Sequence, residues 1–220
     1  MTSSAHSSAL FSSPAIRWGG VALLVVVFWI VFPPFRIVSL DESGKAPAKG
    51  DESEVFDPAG FVDRFWEDRL EPNLGEAMKV EELLAALVVD PLEARKRYGL
   101  YDSRYYFAQG SGDVVEIKGR KAMLEVEGRI ISLLIASPVF GNTVRDGTGL
   151  LSVNDFSGLE AFNAVSAVLN TKVETEVMPS LQESVKVGAT VSFVGCAKAP
   201  ETLGEGALLE FVPLQVEVSR

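Results

Sequence analysis

The sequence predicts an α+β fold, in which an N-terminal transmembrane helix precedes a short helical layer and a small β-rich domain. Three observations predict this arrangement. An uncharged apolar run spans residues 18–35, and apolar residues recur at helical spacing through much of residues 56–98. From Tyr105 onward the period changes to two, which is typical of strands.

The composition of the chain excludes several classes of function. Lys and Arg number 20 against 30 Asp and Glu, a formal net charge of -10, whereas nucleic-acid binding usually needs a basic face. Cys196 is the only cysteine, which excludes an intrachain disulfide and a multi-cysteine metal site. His6 is the only histidine and lies in a Ser-rich tail, away from any Ser or Cys of the folded domain. We therefore expect no enzyme, no catalytic residues, no metal and no cofactor.

The apolar run predicts attachment to a membrane. About eighteen uncharged residues nearly suffice for a helix to cross a hydrocarbon core of ~30 Å. A cleaved signal peptide would need small residues after the run, and residues 36–40 offer no clear cleavage site. A buried core helix has no partner nearby, and the flanking charges, Arg17 and Arg36, leave the orientation open. The sequence predicts a tail at 1–17, a transmembrane anchor at 18–38 and a flexible linker at 39–54.

Residues 55–104 are predicted to form a helical subdomain. Asp57 and Asp90 each precede a proline, the combination of N-cap and first-turn proline that begins a helix. Pro72 is expected to break the first helix, and Gly99 to end the third. The apolar positions of the first two helices recur every three or four residues: Phe61, Val62, Phe65, Trp66 and Leu70, then Val80, Leu83, Leu84, Leu87 and Val88.

Residues 105–220 are predicted to form a β-rich subdomain. Residues 113–118 and 122–127 alternate as two strands, or as one long strand bent at Gly119. The apolar run 130–136 is typical of a strand buried on both faces.

The second half of this subdomain is predicted to contain a helix between strands. A short strand is expected at 150–153, and a helix from Ser157, where Ser157-Gly158-Leu159-Glu160 has the spacing of a capping box. Two strands, at 190–196 and 208–218, close the chain.

The resulting order is three strands, a helix and two further strands. This β-β-β-α-β-β order is that of the oligonucleotide/oligosaccharide-binding (OB) fold, a five-stranded, partly open Greek-key barrel. Gly112, Gly119 and Gly128 lie where such a barrel bends or turns. A small α+β sheet with different strand pairing is the alternative.

The loop at 137–149 is the candidate functional site, because loops between barrel strands commonly carry ligands. The guanidinium of Arg145 offers a planar fork to a carboxylate or to sugar hydroxyls, and the amide of Asn154 both donates and accepts. A purely structural role is the alternative, in which Arg145 pairs with Asp146 or Asp155 and Asp155 or Ser157 only caps the helix. The predicted ligand- or partner-binding residues are Asn142, Thr143, Arg145, Asp146, Asn154 and Asp155.

Several separated motifs carry a family resemblance. They are Phe56-Asp57-Pro58, Val62-Asp63, Trp66, Arg97-Tyr98-Gly99, Pro138-Val139, Gly141-Asn142-Thr143, Arg145-Asp146 and Val153-Asn154-Asp155-Phe156. Over most of residues 55–218 the chain resembles a bacterial family of predicted periplasmic lipoproteins, a domain of unknown function often encoded beside sugar ABC-transporter genes. Lipoprotein members carry a cysteine just after the apolar run. This chain has none there, so the transmembrane helix is expected to replace the lipid as anchor.

The resemblance implies an extracytoplasmic domain. We therefore expect a single-pass inner-membrane protein with its C-terminal domain in the periplasm. It would act as an accessory or interaction protein, with the lipid bilayer and components of a sugar ABC transporter as partners. The alternative function is a small-ligand domain that binds a saccharide through the region from Asn142 to Asp155.

Overall fold

Helices dominate the described chain before Tyr105, and the longer strands lie from Tyr105 onward. The structure is a computed structural model, and it describes residues 56–100, 102, 104–199 and 208–219. The chain divides into two units, Met1–Glu54 and Val55–Arg220, and the second is compact. The predicted tail, anchor and linker fall in the first unit, outside the described residues. Among the described residues, no helix combines the length and apolarity needed to span a membrane.

Two helices begin at the aspartate-proline pairs, as predicted. Asp57 Oδ1 accepts a hydrogen bond from the backbone N–H of Ala59 at 3.0 Å, and Asp90 Oδ1 accepts from Leu92 and Glu93, both at 3.0 Å. The α-helices are α1 Pro58–Phe65, α2 Glu71–Asn73, α3 Val80–Val89, α4 Pro91–Tyr98, α5 Thr143–Gly147, α6 Leu159–Lys172 and α7 Met178–Ser184.

The prediction that Pro72 breaks the first helix is wrong. A π-helical turn, Trp66–Leu70, joins α1 to α2, and Pro72 lies in the first turn of α2. Inside an α-helix a proline lacks the N–H for the ladder and clashes with the carbonyl four residues earlier, and the wider π turn accommodates both defects. The same arrangement recurs where the π turn Val173–Val177 precedes Pro179 in α7. Both helical runs therefore continue through a proline.

Six strands of the described residues form one sheet. They are β1 Met78–Lys79, β2 Tyr105–Lys118, β3 Lys121–Val126, β4 Arg129–Leu134, β5 Thr190–Lys198 and β6 Glu210–Ser219. Their order across the sheet is β1-β2-β3-β4-β6-β5. The period-two segments 113–118 and 122–127 are separate strands, joined by a turn at Gly119, where φ is +60°. The short β1 runs parallel to β2 and was not predicted.

Five strands, β2 to β6, form a closed cycle of pairings, because the long strand β2 pairs with both β3 and β5. Its first part pairs with β5, from Tyr105↔Lys198 to Asp113↔Thr190, and its second part pairs with β3. Strands β4 and β6 are parallel, and the other four pairings of the cycle are antiparallel. Helix α6 lies in the connection between β4 and β5. The α+β class is confirmed. From β2 onward the described chain runs as β2, β3 and β4, then α6, then β5 and β6.

Two local predictions between β4 and α6 are wrong. Residues 150–153 form no strand, because Ser152 and Asp155 close a capping box around the 3₁₀ turn Val153–Asp155. Helix α6 begins at Leu159 with Gly158 as N-cap and no side-chain cap, so the capping box lies five residues before its predicted position at Ser157. The capping side chains in this segment, Ser152 and Asp155, thus belong to the 3₁₀ turn and not to α6.

The helices and the strands share their hydrophobic cores. One core brings Val62 of α1 and Phe162 of α6 together with Phe107 of β2. The other packs Leu83 of α3 among buried strand residues such as Phe211. Burial of these apolar side chains is the main stabilising contribution to such a unit.

A substitution at Gly112 of β2 tests how closely the paired strands pack. A Cβ there would lie 2.7 Å from the backbone oxygen of Glu125 on the paired strand. We expect Gly112→Ala to lower the free energy of unfolding by about 1–3 kcal/mol, because the backbone must move to admit the methyl group. Gly75 is the control, since a Cβ there meets nothing within 4 Å. Urea unfolding followed by circular dichroism should show no loss for Gly75→Ala. Equal midpoints for the two variants would contradict the tight approach.

Candidate functional site

A buried ion pair lies at the centre of the candidate loop. Arg145 and Asp146, neighbours in α5, are only 5% and 1% exposed. The Nε of Arg145 donates to Asp146 Oδ1 at 2.6 Å, and its Nη2 donates to Asp146 Oδ2 at 3.1 Å. Helix α5 is held against β5 by close packing, because a Cβ on Gly147 would lie only 2.5 Å from the Cβ of Cys196. The pair is thus bidentate and nearly excluded from solvent.

The remaining donors of Arg145 reach α6. Its Nη1 donates to Asn163 Oδ1 at 2.9 Å and to the backbone oxygen of Phe162 at 3.3 Å. The guanidinium carbon lies 3.7 Å from the centroid of the Phe162 ring, a cation–π contact. Arg145 therefore binds a carboxylate, an amide, a carbonyl and an aromatic face of its own chain.

Asn142 and Tyr105 extend this network to β2. Asn142 Nδ2 donates to Asp146 Oδ2, and the hydroxyl of Tyr105 donates to Asn142 Oδ1 at 3.2 Å. Burial raises the pKa of the Tyr105 hydroxyl, and the negative charge of Asp146 raises it further. The hydroxyl thus stays protonated as the donor at neutral pH.

A stripe of polar residues on one face of α6 and the following π turn holds the rest of the loop. Ser166 Oγ and Asn170 Nδ2 both donate to the backbone oxygen of Gly141, at 3.1 and 2.8 Å. Glu174 Oε1 accepts from the backbone N–H of Val139 at 2.6 Å. Together with Asn163 these residues follow the spacing i, i+3, i+7 and i+11, which places them on one helical face. Sequence reasoning missed this stripe, although its spacing was available as a signal.

The braced loop presents an aromatic side chain to solvent. Val139 is buried and the Gly141 carbonyl is held by α6, but Phe140 between them is 71% exposed. Arg120 from the β2–β3 turn donates to the backbone oxygen of Pro138 at 2.5 Å, and its guanidinium lies 5.8 Å from the Phe140 ring centroid. The loop is therefore held by α6 and by Arg120, while the side chain of Phe140 is exposed to solvent.

The other predicted site residues lie in different surroundings. Thr143 begins α5 and is partly exposed. Asp155 Oδ2 accepts from the backbone N–H of Ser152 at 2.9 Å, and the N–H of Asn154 donates to Ser152 Oγ at 3.3 Å. Asp155 therefore caps the 3₁₀ turn, while the side chain of Asn154 lies in an exposed position. Ligand or partner binding by the six residues stays a prediction.

A polar groove of about 610 Å³ lies elsewhere, on the outer face of β2, β5 and β6 beside the start of α3. Ser111, Ser192 and Glu217 are aligned across the three strands, and Ser192 Oγ donates to Ser111 Oγ at 3.1 Å. Lys79 and Glu81 close the groove from the side of α3. The lining supplies donors and acceptors of both charges.

The thiol of Cys196, the single cysteine of the chain, is buried. Cys196 lies in β5 and is fully buried, and its burial raises the pKa of the thiol. The thiolate, the reactive form, is therefore strongly disfavoured. Within the described residues, no group of three or more His, Cys, Asp and Glu side chains is placed to hold a metal ion.

The buried pair makes the stability of the unit depend on Arg145. We expect Arg145→Met to lower the free energy of unfolding by about 3–5 kcal/mol, because the carboxylate of Asp146 would stay buried without its cation. Lys96→Met is the matched control, since Lys96 pairs with Glu93 at 3.4 Å on the surface, and such pairs contribute less than about 1 kcal/mol. Urea unfolding measures both. An Arg145→Met loss no larger than that of Lys96→Met would contradict the importance of the buried pair.

Comparison with known proteins identifies the family of this chain. A crystal structure of an OB-fold protein from Thermotoga maritima is similar to this chain, with 27% sequence identity and a TM-score of 0.65. The match covers 76% of this chain and 100% of that one. No curated protein matches the chain. The family model described as "Predicted periplasmic lipoprotein (DUF2291)" matches residues 25–217. The chain therefore belongs to this family of predicted periplasmic lipoproteins, whose members share a domain of unknown function.

Proposed function

We propose that this protein is a non-enzymatic interaction module, anchored in the bacterial inner membrane by residues 18–38, with an OB-like five-stranded barrel in the periplasm. The family description supports the periplasmic location. The apolar run supports the anchor. The closed cycle of pairings and the likeness to an OB-fold protein support the barrel.

The exposed Phe140 on its braced loop is the observation that carries the interaction role. Arg145, Asp146 and Asn142 are used in internal contacts. The backbone on either side of Phe140 is held by Glu174, which binds the N–H of Val139, and by Asn170, which binds the carbonyl of Gly141. A rigid aromatic side chain loses little conformational freedom when a partner covers it, and such residues dominate protein interfaces. The loop is therefore better suited to contact a partner than to perform chemistry.

The partner that we propose is a component of a sugar ABC transporter. The resemblance to a family often encoded beside such transporters supports this choice, and it is an argument by analogy. The membrane anchor would keep the module beside a membrane-embedded transporter, which raises the effective concentration of the contact.

A small-ligand function is the second candidate, and the polar groove of about 610 Å³ favours it. Hydroxyl, amide and charged side chains along the groove match the donors and acceptors of a saccharide. Asn142, Arg145 and Asp146, which the sequence analysis proposed as a ligand site, already bind one another. The groove therefore suits a saccharide better than the candidate loop does.

Site-specific crosslinking tests the interaction role. A photoreactive side chain in place of Phe140, in the full-length protein in its own membranes, is expected to capture a transporter component. The same replacement at Leu159, which is 67% exposed, is the control. Phe140→Ala should weaken binding of the captured component about thirty-fold, as for an interface residue worth about 2 kcal/mol. Equal capture from both positions, or none from Phe140, would contradict the proposal.

Thermal unfolding with a panel of sugars tests the saccharide alternative. A sugar present at a hundred times its Kd should stabilise the protein by about 2.7 kcal/mol, because it binds only the folded state. Ser192→Val should abolish this shift, while Ser157→Val, at an exposed position outside the groove, should not. A panel without any shift would exclude the alternative. Loss of the shift in Asn154→Ala but not in Ser192→Val would assign the site to the turn at 152–155 instead.

A further inference from the structure

The corner between α3 and α4 exposes an unusual group of apolar side chains. Val88 and Val89 end α3 and are 66% and 85% exposed, and Leu92 in the first turn of α4 is 63% exposed. Asp90 separates them and begins α4 by capping its N-terminus. We call Val88, Val89 and Leu92, with the helical turns that carry them, the α3–α4 corner. Exposed apolar residues that are adjacent, rather than scattered, mark interaction surfaces.

The charges beside this corner differ from those of the rest of the chain. Arg95, Lys96 and Arg97 follow one another in the last turns of α4. Residues 88–98 contain these three cations and two carboxylates, Asp90 and Glu93, whereas the whole chain contains 20 cations and 30 carboxylates. Lys96 and Glu93 pair at 3.4 Å and Asp90 caps α4, so the segment keeps an excess of one positive charge. The corner is thus a locally basic site in an acidic protein.

An apolar tip with a basic rim complements the surface of an anionic bilayer. Valine and leucine side chains enter the region below the lipid headgroups, while Lys and Arg extend their charges to the phosphates. The guanidinium of Arg97 lies 5.1 Å from the ring centroid of Tyr98, and both types of side chain are favoured at headgroup depth. Acidic phospholipids attract such cations, whereas the remaining surface of a chain with net charge -10 is repelled.

We propose that the α3–α4 corner is a lipid-contact surface that docks the folded unit on an anionic bilayer. The inference rests on the proposed anchor, because the anchor would keep the unit beside a membrane. Docking through one corner would restrict the orientation of the unit and therefore the direction in which Phe140 is presented.

Fluorescence quenching in reconstituted vesicles tests the docking. The full-length protein with Val89→Cys is labelled with an environment-sensitive dye, since Cys196 is buried and its thiol is protected. The vesicles contain phosphatidylcholine with brominated acyl chains, with or without phosphatidylglycerol. Quenching and a blue shift are expected at Val89 when phosphatidylglycerol is present. Val187→Cys, at a position that is 61% exposed, is the control and should stay unquenched.

Charge reversal tests the basic rim. Lys96→Glu combined with Arg97→Glu should remove most of the quenching at Val89, as should high salt. The double change leaves the buried core untouched, since both side chains are exposed, and circular dichroism checks the fold. Equal quenching at Val89 and Val187 would overturn the proposal, as would quenching at Val89 that does not change with phosphatidylglycerol or salt. A blue shift that rises with protein concentration in lipid-free detergent would assign the corner to a second copy of the chain and would also overturn it.

Flotation of the same vesicles separates this inference from the proposed anchor. If the protein floats with neutral vesicles but Val89 is unquenched on anionic ones, the anchor stands and the docking is wrong. If it fails to float with neutral vesicles yet is quenched at Val89 on anionic ones, the docking stands and the anchor is wrong.

Discussion

The buried pair of Arg145 and Asp146 is the constraint on which the candidate loop depends. Removing two charges from water is costly, and the cost is offset only when their remaining donors and acceptors are also bound. Here Asn163, Phe162 and Asn142 supply those bonds from both sides of the pair. Every one of these contacts joins α5 to another element or to its own entry, so satisfying the charges fixes the loop on α6. The backbone on either side of Phe140 is held separately, by Ser166, Asn170 and Glu174.

The two π turns have a comparable role in the helical layer. Each precedes a proline and lets a helical run continue where an α-helix would end. The first run carries the aromatic side chains of α1 towards α6, where Phe61, Phe156 and Phe162 form a chain of ring contacts with centroids 5.0 and 5.2 Å apart. The continuous runs therefore give the strand cycle a helical cover that shares its core.

The surface of the folded unit combines several types of contact. The chain carries 30 carboxylates against 20 cations. The apolar exposure of the folded unit includes the braced tip at Phe140 and the corner at Val88, Val89 and Leu92. One is a single ring on a rigid loop, which suits a protein interface. The other is a small apolar group beside cations, which suits lipid. A domain that transmits contact between a bilayer and a partner would need surfaces of both kinds.

The sequence by itself determined the features that depend on nearest neighbours. Asp57 and Asp90 cap helices because the cap bonds reach only two or three residues. The pattern over residues 113–118 identifies the second part of β2 for the same local reason, whereas its first part has four successive buried residues and no alternation. Only the tertiary structure decided which distant elements meet. Arg145 contacts α6, Leu150–Val153 stays outside a closed cycle of strands, and the stripe Asn163, Ser166, Asn170 and Glu174 faces a loop. The residues next to a polar side chain in the sequence do not predict its hydrogen-bond partner, because that partner is set by the packing of the whole unit.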